Sequence, residues 1–170
     1  MSNDNKGLIM AGGNGTRLFP LTIMTNKHLL PIYSKPLIYY SIAQMVLLNI
    51  KEICLIVRPQ DADCYFELKN HFVKFGIKIE IIIQKNAGGI PEGLILAENF
   101  IGDSDFLFML GDNFLYGSGL IDKIKNVIAD SSSNYIFSCF SNHKGINLFE
   151  PPAITSGLSS NLEFLHFKLL

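Results

Sequence analysis

Apolar residues in this chain come in short blocks, cut by glycines, prolines and charged turns. The first block, GLIMA at residues 7–11, is unbroken and too short for a helix, so it predicts a buried strand. Residues 36–50, PLIYYSIAQMVLLNI, are apolar on nearly every side and predict a mostly buried helix with Pro36 in its first turn. EICLIV at 52–57 predicts a second strand whose lack of polar alternation suits burial on both faces. Residues 60–75 place Tyr65, Leu68, Phe72 and Phe75 on one face of an amphipathic helix that stops at Gly76. KIEIIIQ at 78–84 predicts a third strand. A helix opening at Pro91 then carries Leu94, Ala97 and Ile101 on one face and ends at Gly102. DFLFML at 105–110 predicts a fourth strand. Ser118 or Gly119 opens a further helix striped by Leu120, Ile121, Ile124, Val127 and Ile128, and residues 135–140 predict a fifth strand.

This alternation predicts an α/β fold, Rossmann-like and doubly wound, with a mainly parallel sheet and helices on both faces. Right-handed crossovers bring the loops that follow parallel strands to one edge. The loops at 12–17, 84–89 and 111–113 are therefore expected to converge. From about Ser141 the pattern is lost: Pro151-Pro152, a Ser/Asn/Gly-rich stretch and a closing apolar LEFLHFKLL contain no clean strand–helix unit. The chain thus divides into an α/β part, residues 1–140, and a divergent or poorly ordered tail, residues 141–170.

Composition narrows the function classes. With 170 residues, 48% hydrophobic and 17% charged, the chain can bury a proper core. A net charge of −1 leaves no basic footprint for nucleic acid. No apolar run is long enough to span a membrane, and the polar start, MSNDNKG, does not read as a secretory signal. Cys54, Cys64 and Cys139 lack metal-ligand spacing and are expected to be buried thiols in a reducing cytoplasm. His28, His71, His143 and His166 are scattered, and Tyr39 and Tyr40 read as helix core.

The candidate chemistry lies after the first strand. Ala11 leads into Gly12-Gly13-Asn14-Gly15, then Thr16 and Arg17, with Lys27 ten residues further on. Glycines let backbone N–H groups approach phosphate oxygens, arginine adds a fork of donors, and lysine adds a compact charge. The loop lacks the Lys-Ser/Thr of a P-loop, and Leu18 stands where a dinucleotide loop has its third glycine. Asp112, in Leu110-Gly111-Asp112-Asn113, sits where a carboxylate can point from a strand end into a cleft; alternatively it caps a turn. Asp103 and Asp105 flank the start of that strand and read as solvated turn residues.

The string GGNGTRLFP, the downstream Lys27, the segment NKHLLPIYSKPLIYY and the LGDN motif together resemble the sugar-1-phosphate nucleotidylyltransferases, and most of all the glucose-1-phosphate thymidylyltransferases. The resemblance covers about residues 6–140, with Ser34 and Ser41 standing where that family usually has Asp and Pro. It implies attack of a sugar phosphate on the α-phosphorus of a nucleoside triphosphate, dTTP in the first instance, with loss of pyrophosphate. It implies a nucleotide site at Ala11, Gly12, Gly13, Gly15, Thr16 and Arg17, with Gln84 and Gly89 at the base. Arg17 and Lys27 become the catalytic cations, and Asp112 the ligand of a Mg2+ cofactor. A sugar 1-phosphate is the second substrate, self-association is implied because family members often form oligomers, and the cytoplasm is the expected location.

Two departures bear on function. After Gly89 the chain reads Ile90-Pro91-Glu92-Gly93 where the family has a sequence like L-A-Q-A, which leaves the base open. The family's Trp-Leu-Asp-Thr-Gly-like and Glu-Glu-Lys-Pro segments are not matched, and the chain has no Trp, so the sugar-binding half is expected to be missing. Three readings follow: a thymidylyltransferase; a nucleotide-binding remnant or subunit without turnover of its own; and a transferase that uses another nucleoside triphosphate.

Overall fold

The structure is a computed structural model that describes residues 5–86, 88–113, 119–129, 140–142 and 145–147. Residues 1–112 form one compact unit and residues 113–170 a second. The predicted fifth strand, except Phe140, and most of the predicted tail lie outside the described residues.

The first unit is built on four parallel strands: β1 (Lys6–Met10), β4 (Glu52–Val57), β5 (Lys78–Ile83) and β6 (Phe106–Leu110), in the order β5-β4-β1-β6. Register pairs Leu8 with Cys54 and Phe108, and Met10 with Ile56 and Leu110. Between β1 and β4 run a short antiparallel hairpin, β2 (Pro31–Ile32) with β3 (Lys35–Pro36), and helix α1 (Leu37–Leu47). Helix α2 (Ala62–Val73) joins β4 to β5, and α3 (Gly89–Leu96) with α4 (Glu98–Ile101) joins β5 to β6.

Side-chain alternation along the strands divides the core into two layers. Leu8, Met10, Cys54 and Ile56 face α3 and α4, packing with Leu94, Ala97, Phe100 and Ile101. Gly93 lies so close to Met10 and Ile56 that a Cβ there would have no room, which lets α3 seat directly on the sheet. On the other face, a Cβ on Gly7 would stand 3.1 Å from Met45 Sδ of α1. The sheet is thus covered on both faces, and β1 and β4 are buried almost throughout. Each fully buried Leu or Ile contributes about 1.5–3 kcal/mol, so these two strands anchor the unit.

Several expectations need correction. The helix placed at Pro91 begins at Gly89 and breaks at Ala97. Glu92 reaches back to the Gly88 N–H at 2.8 Å and draws the start forward, leaving Pro91 in the first turn, where a missing N–H costs no helical bond. Phe75 is 64% exposed because α2 ends at Val73, before the aromatic stripe does. In α1 the buried side includes Ser41 and Gln44, while Leu47 is exposed and Tyr39 and Tyr40 are half-buried. Of the cysteines, Cys54 is buried and desolvation pushes its thiol up to about 12, but Cys64 is exposed. Cys139 lies outside the described residues.

The second unit contains helix α5 (Leu120–Ala129) and an antiparallel hairpin of β7 (Phe140–Asn142) and β8 (Gly145–Asn147). Ile124 is buried on α5 and Lys125 is exposed. Among the described residues no helix is long and apolar enough to cross a membrane.

Candidate functional site

Because the strands are parallel, the loops after β1, β5 and β6 leave from the same edge of the first unit. The ladder runs one bond further at each. Ala11 N–H donates to Ile56 O, Gln84 N–H to Val57 O, and Gly111 N–H to Met10 O, each at 2.8 Å. Ala11, Gln84 and Gly111, the residue before Asp112, are therefore held by backbone before any side chain acts.

The glycine loop folds over Lys27. A Cβ on Gly13 would meet Lys27 Cε at 3.3 Å, and one on Gly15 would meet Lys27 Cβ at 3.0 Å. Gly15 also has φ 62°, in the left-handed region that a side chain disfavours. Thr16, Arg17 and Leu18 make a single 3-10 turn, closed by Leu18 N–H donating to Gly15 O. Among the described residues, the N–H groups of Gly12, Gly13 and Gly15 make no hydrogen bond to the protein. They are donors on a loop that is at least partly open to solvent, without acceptors of their own.

Lys27 Nζ lies 2.5 Å from Asp112 Oδ2, so the structure brings these two expected residues together across 85 positions of sequence. Burial pushes the Asp112 carboxyl up, but the hydrogen bond and charge of Lys27, with His28 adding to them, outweigh burial and hold it below the usual carboxylate range. Gln84 is buried and donates from Nε2 to Gly89 O at 3.1 Å, so these two expected residues are also in contact. A Cβ on Gly12 would stand 3.1 Å from Gln84 Oε1, which places Gln84 beside the first loop glycine. Thr16 and Arg17 are exposed, and Arg17 makes no ion pair among the described residues.

Sequence reasoning missed the layer beneath. Buried Asn26 donates from Nδ2 to Ala11 O at 3.2 Å and to Asp61 Oδ2 at 2.7 Å. Its Oδ1 accepts from the His28 backbone N–H at 2.9 Å and lies 2.6 Å from His28 Nδ1. That carbonyl can only accept, so His28 carries its proton on Nδ1. Burial, with Lys27 adding to it, pushes His28 down to about 4 and keeps the ring neutral. Arg58 Nε donates to Asp61 Oδ2 at 2.6 Å, and its guanidinium reaches Asn14 Oδ1 at 3.2 Å. The glycine loop is therefore tied down at Ala11, Asn14 and, through the Thr22 hydroxyl, Gly15 O. Asn26 has a readable sign, an Asx cap before a turn; His28 has none.

Among the described residues no three His, Cys, Asp or Glu side chains cluster as a metal cage. Asp61 is engaged by Asn26 and Arg58, which leaves Asp112 as the carboxylate facing the loop and Lys27. A single ionised carboxylate beside loop N–H donors without acceptors fits Mg2+, which takes one or two carboxylates and completes its shell with phosphate oxygens and water.

A family profile described as nucleotidyl transferase matches residues 6–145. A glucose-1-phosphate thymidylyltransferase of Neisseria gonorrhoeae is 36% identical over 132 residues, which cover 78% of this chain and 46% of that protein. The chain thus spans about half the length of the curated relatives it matches. A structure described as a glucose-1-phosphate thymidylyltransferase from Bacillus anthracis, solved with sucrose, superimposes with TM-score 0.72 at 30% identity, covering 79% of this chain and 54% of that one. A UDP-glucose pyrophosphorylase solved with UDP-glucose shares the fold, with TM-score 0.65 at 20% identity over 80% of this chain and 57% of that one.

Proposed function

The chain belongs to the nucleotidyl transferase family, and from that premise we propose that its first unit binds a nucleoside triphosphate at the carboxyl edge of the sheet. The observation that carries this reading is the meeting of Lys27 and Asp112 at 2.5 Å, with the lysine stem packed under Gly13 and Gly15. A cation, an ionised carboxylate and donors without acceptors then lie together at one edge of the sheet, which is the equipment a polyphosphate needs.

The nucleotide is dTTP and the acceptor a glucose 1-phosphate, on the likeness to the thymidylyltransferases. The loop N–H groups of Gly12, Gly13 and Gly15, with Thr16, receive the phosphates. Arg17, exposed at the rim, closes on the triphosphate and steadies the leaving pyrophosphate. Lys27 bridges the nucleotide and sugar phosphates, leaving Asp112 as they arrive. No side-chain nucleophile is required, because catalysis rests on positioning and charge neutralisation. Asp112 would hold Mg2+, whose contribution when bound is to neutralise charge on the phosphate oxygens. Gln84 and Gly89, at the end of β5, meet the base.

Calorimetric titration of dTTP into the chain with Mg2+ tests this reading, followed by glucose 1-phosphate with pyrophosphate monitored. Saturable binding that loses its Mg2+-dependent part in Asp112→Asn is the expected result; binding unaffected by that change makes Asp112 a turn residue. Pyrophosphate release extends the reading to turnover, whereas binding without release restricts it to a nucleotide module.

A further inference from the structure

Gln84 meets the base in the reading above, and a glutamine amide can present either of two ends, donor or acceptor. The structure removes that choice. Gln84 Nε2 lies 3.1 Å from Gly89 O and 2.7 Å from Glu92 Oε2. A backbone carbonyl and an ionised carboxylate can only accept, so the amide end turned toward them must be the NH2. Its carbonyl end must then face the other way, and Oε1 is the atom beside Gly12 of the phosphate loop.

Of the two locking contacts, that to Glu92 is the shorter and is charge-assisted, so it is the stronger. Glu92 is itself held. Its Oε2 accepts from the Gly88 N–H at 2.8 Å, and its Oε1 from Asn86 Nδ2 at 3.3 Å. These bonds, that from Gln84 first, keep the Glu92 carboxyl below its ordinary range, so it stays an acceptor at neutral pH.

We propose that Glu92 is a specificity-determining positioning residue, fixing the Gln84 amide so that an acceptor faces the base cleft and selects pyrimidines that donate a proton at N3. Thymine and uracil carry N3–H and satisfy that acceptor. Cytosine has a bare N3 and would set acceptor against acceptor, leaving a desolvated polar atom unpaired. The inference rests on the nucleotide-binding reading, but Glu92 touches neither phosphate nor sugar in it, so discrimination between bases should move apart from overall affinity.

The test is the affinity of the full chain for dTTP and dCTP, each with Mg2+, in wild type, Glu92→Gln and Glu92→Ala, with folding checked by thermal denaturation. Wild type should prefer dTTP by about tenfold or more, the usual range for a hydrogen bond that one ligand makes and the other leaves unpaired. Glu92→Ala should bring the ratio down to about twofold, because Gly89 O alone then holds the amide weakly. Glu92→Gln, whose own amide can still offer an uncharged acceptor to Gln84, should fall between wild type and Glu92→Ala. Glu92 is only partly buried, so Glu92→Ala opens no core cavity and should fold. If dTTP binds but Glu92→Ala keeps the wild-type ratio, Glu92 is a helix cap and the inference falls while the nucleotide site stands. A wild type that prefers dCTP also overturns it. Absence of any nucleotide binding overturns both this inference and the function on which it rests.

Discussion

Two lysine–carboxylate pairs of nearly equal length sit at opposite ends of one sheet. Lys78 and Glu52, at the amino ends of β5 and β4, meet at 2.6 Å. Lys27 and Asp112, at the carboxyl edge, meet at 2.5 Å. Their surroundings differ. The first pair is 81% and 44% exposed, the second 20% and 10%. Water screens the first, so it is a surface contact that salt weakens. The second lies beside buried Asn26, His28 and Asp61, with Asn26 bonded to each of the other two. Near the amino-end pair the structure offers an apolar cavity of about 400 Å³ lined by Lys69, Val73, Gly76, Ile77, Lys78 and Ile79. Among the described residues, polar burial, which costs stability unless every group is satisfied, is concentrated at the carboxyl edge, the edge to which we assign the nucleotide.

The largest expected difference between the two ends is in acid. The folded protein leaves His28 neutral down to about pH 4, whereas the unfolded chain takes up its proton near 6.5. Stability from this residue is full above pH 6.5 and drains as pH falls toward 4, by about 3 kcal/mol in all. Denaturant titrations across that range should show the loss, and His28→Gln should flatten it. A slope unchanged in the variant would place the acid sensitivity elsewhere.

Next in size is the paired substitution of the two lysines. Lys27→Met leaves the mostly buried Asp112 carboxylate without its cation and should cost about 3 kcal/mol, the low end of the range for a broken buried pair. Lys78→Met should leave the denaturation midpoint where it was. Equal losses in the two variants would abolish the distinction drawn between them. Smaller still is Arg17→Ala, which removes an exposed side chain. It should leave stability unchanged but weaken nucleotide binding about tenfold, one charge-assisted bond. Unaltered affinity would remove Arg17 from the site.

Much of this was legible in the sequence where chemistry restricts residue type. A tight turn with a left-handed residue shows its glycines, and strands buried on both faces show unbroken apolar runs; both stand where the pattern placed them. Lys27 and Asp112 were readable as a cation and a carboxylate, but not as a pair, because no periodicity links residues so far apart. Asn26 and Asp61 were missed for the same reason: each is an ordinary turn residue locally, and only the fold makes them partners. Phe75 misled because the aromatic spacing continues past the helix that carries it. Glu92 was seen as a departure from a motif, and its contact with Gln84 appears only once α3 is built.

The most direct test of the central claim is a titration of Mg2+ and dTTP into isotope-labelled chain, followed through backbone amide resonances. Saturable shifts at Gly12, Gly13, Gly15, Gln84 and Asp112, with Ile77, Lys78 and Ile79 unmoved, are the predicted result. Shifts confined to the amino-end cavity, or no saturable shift at the glycine loop, would contradict it.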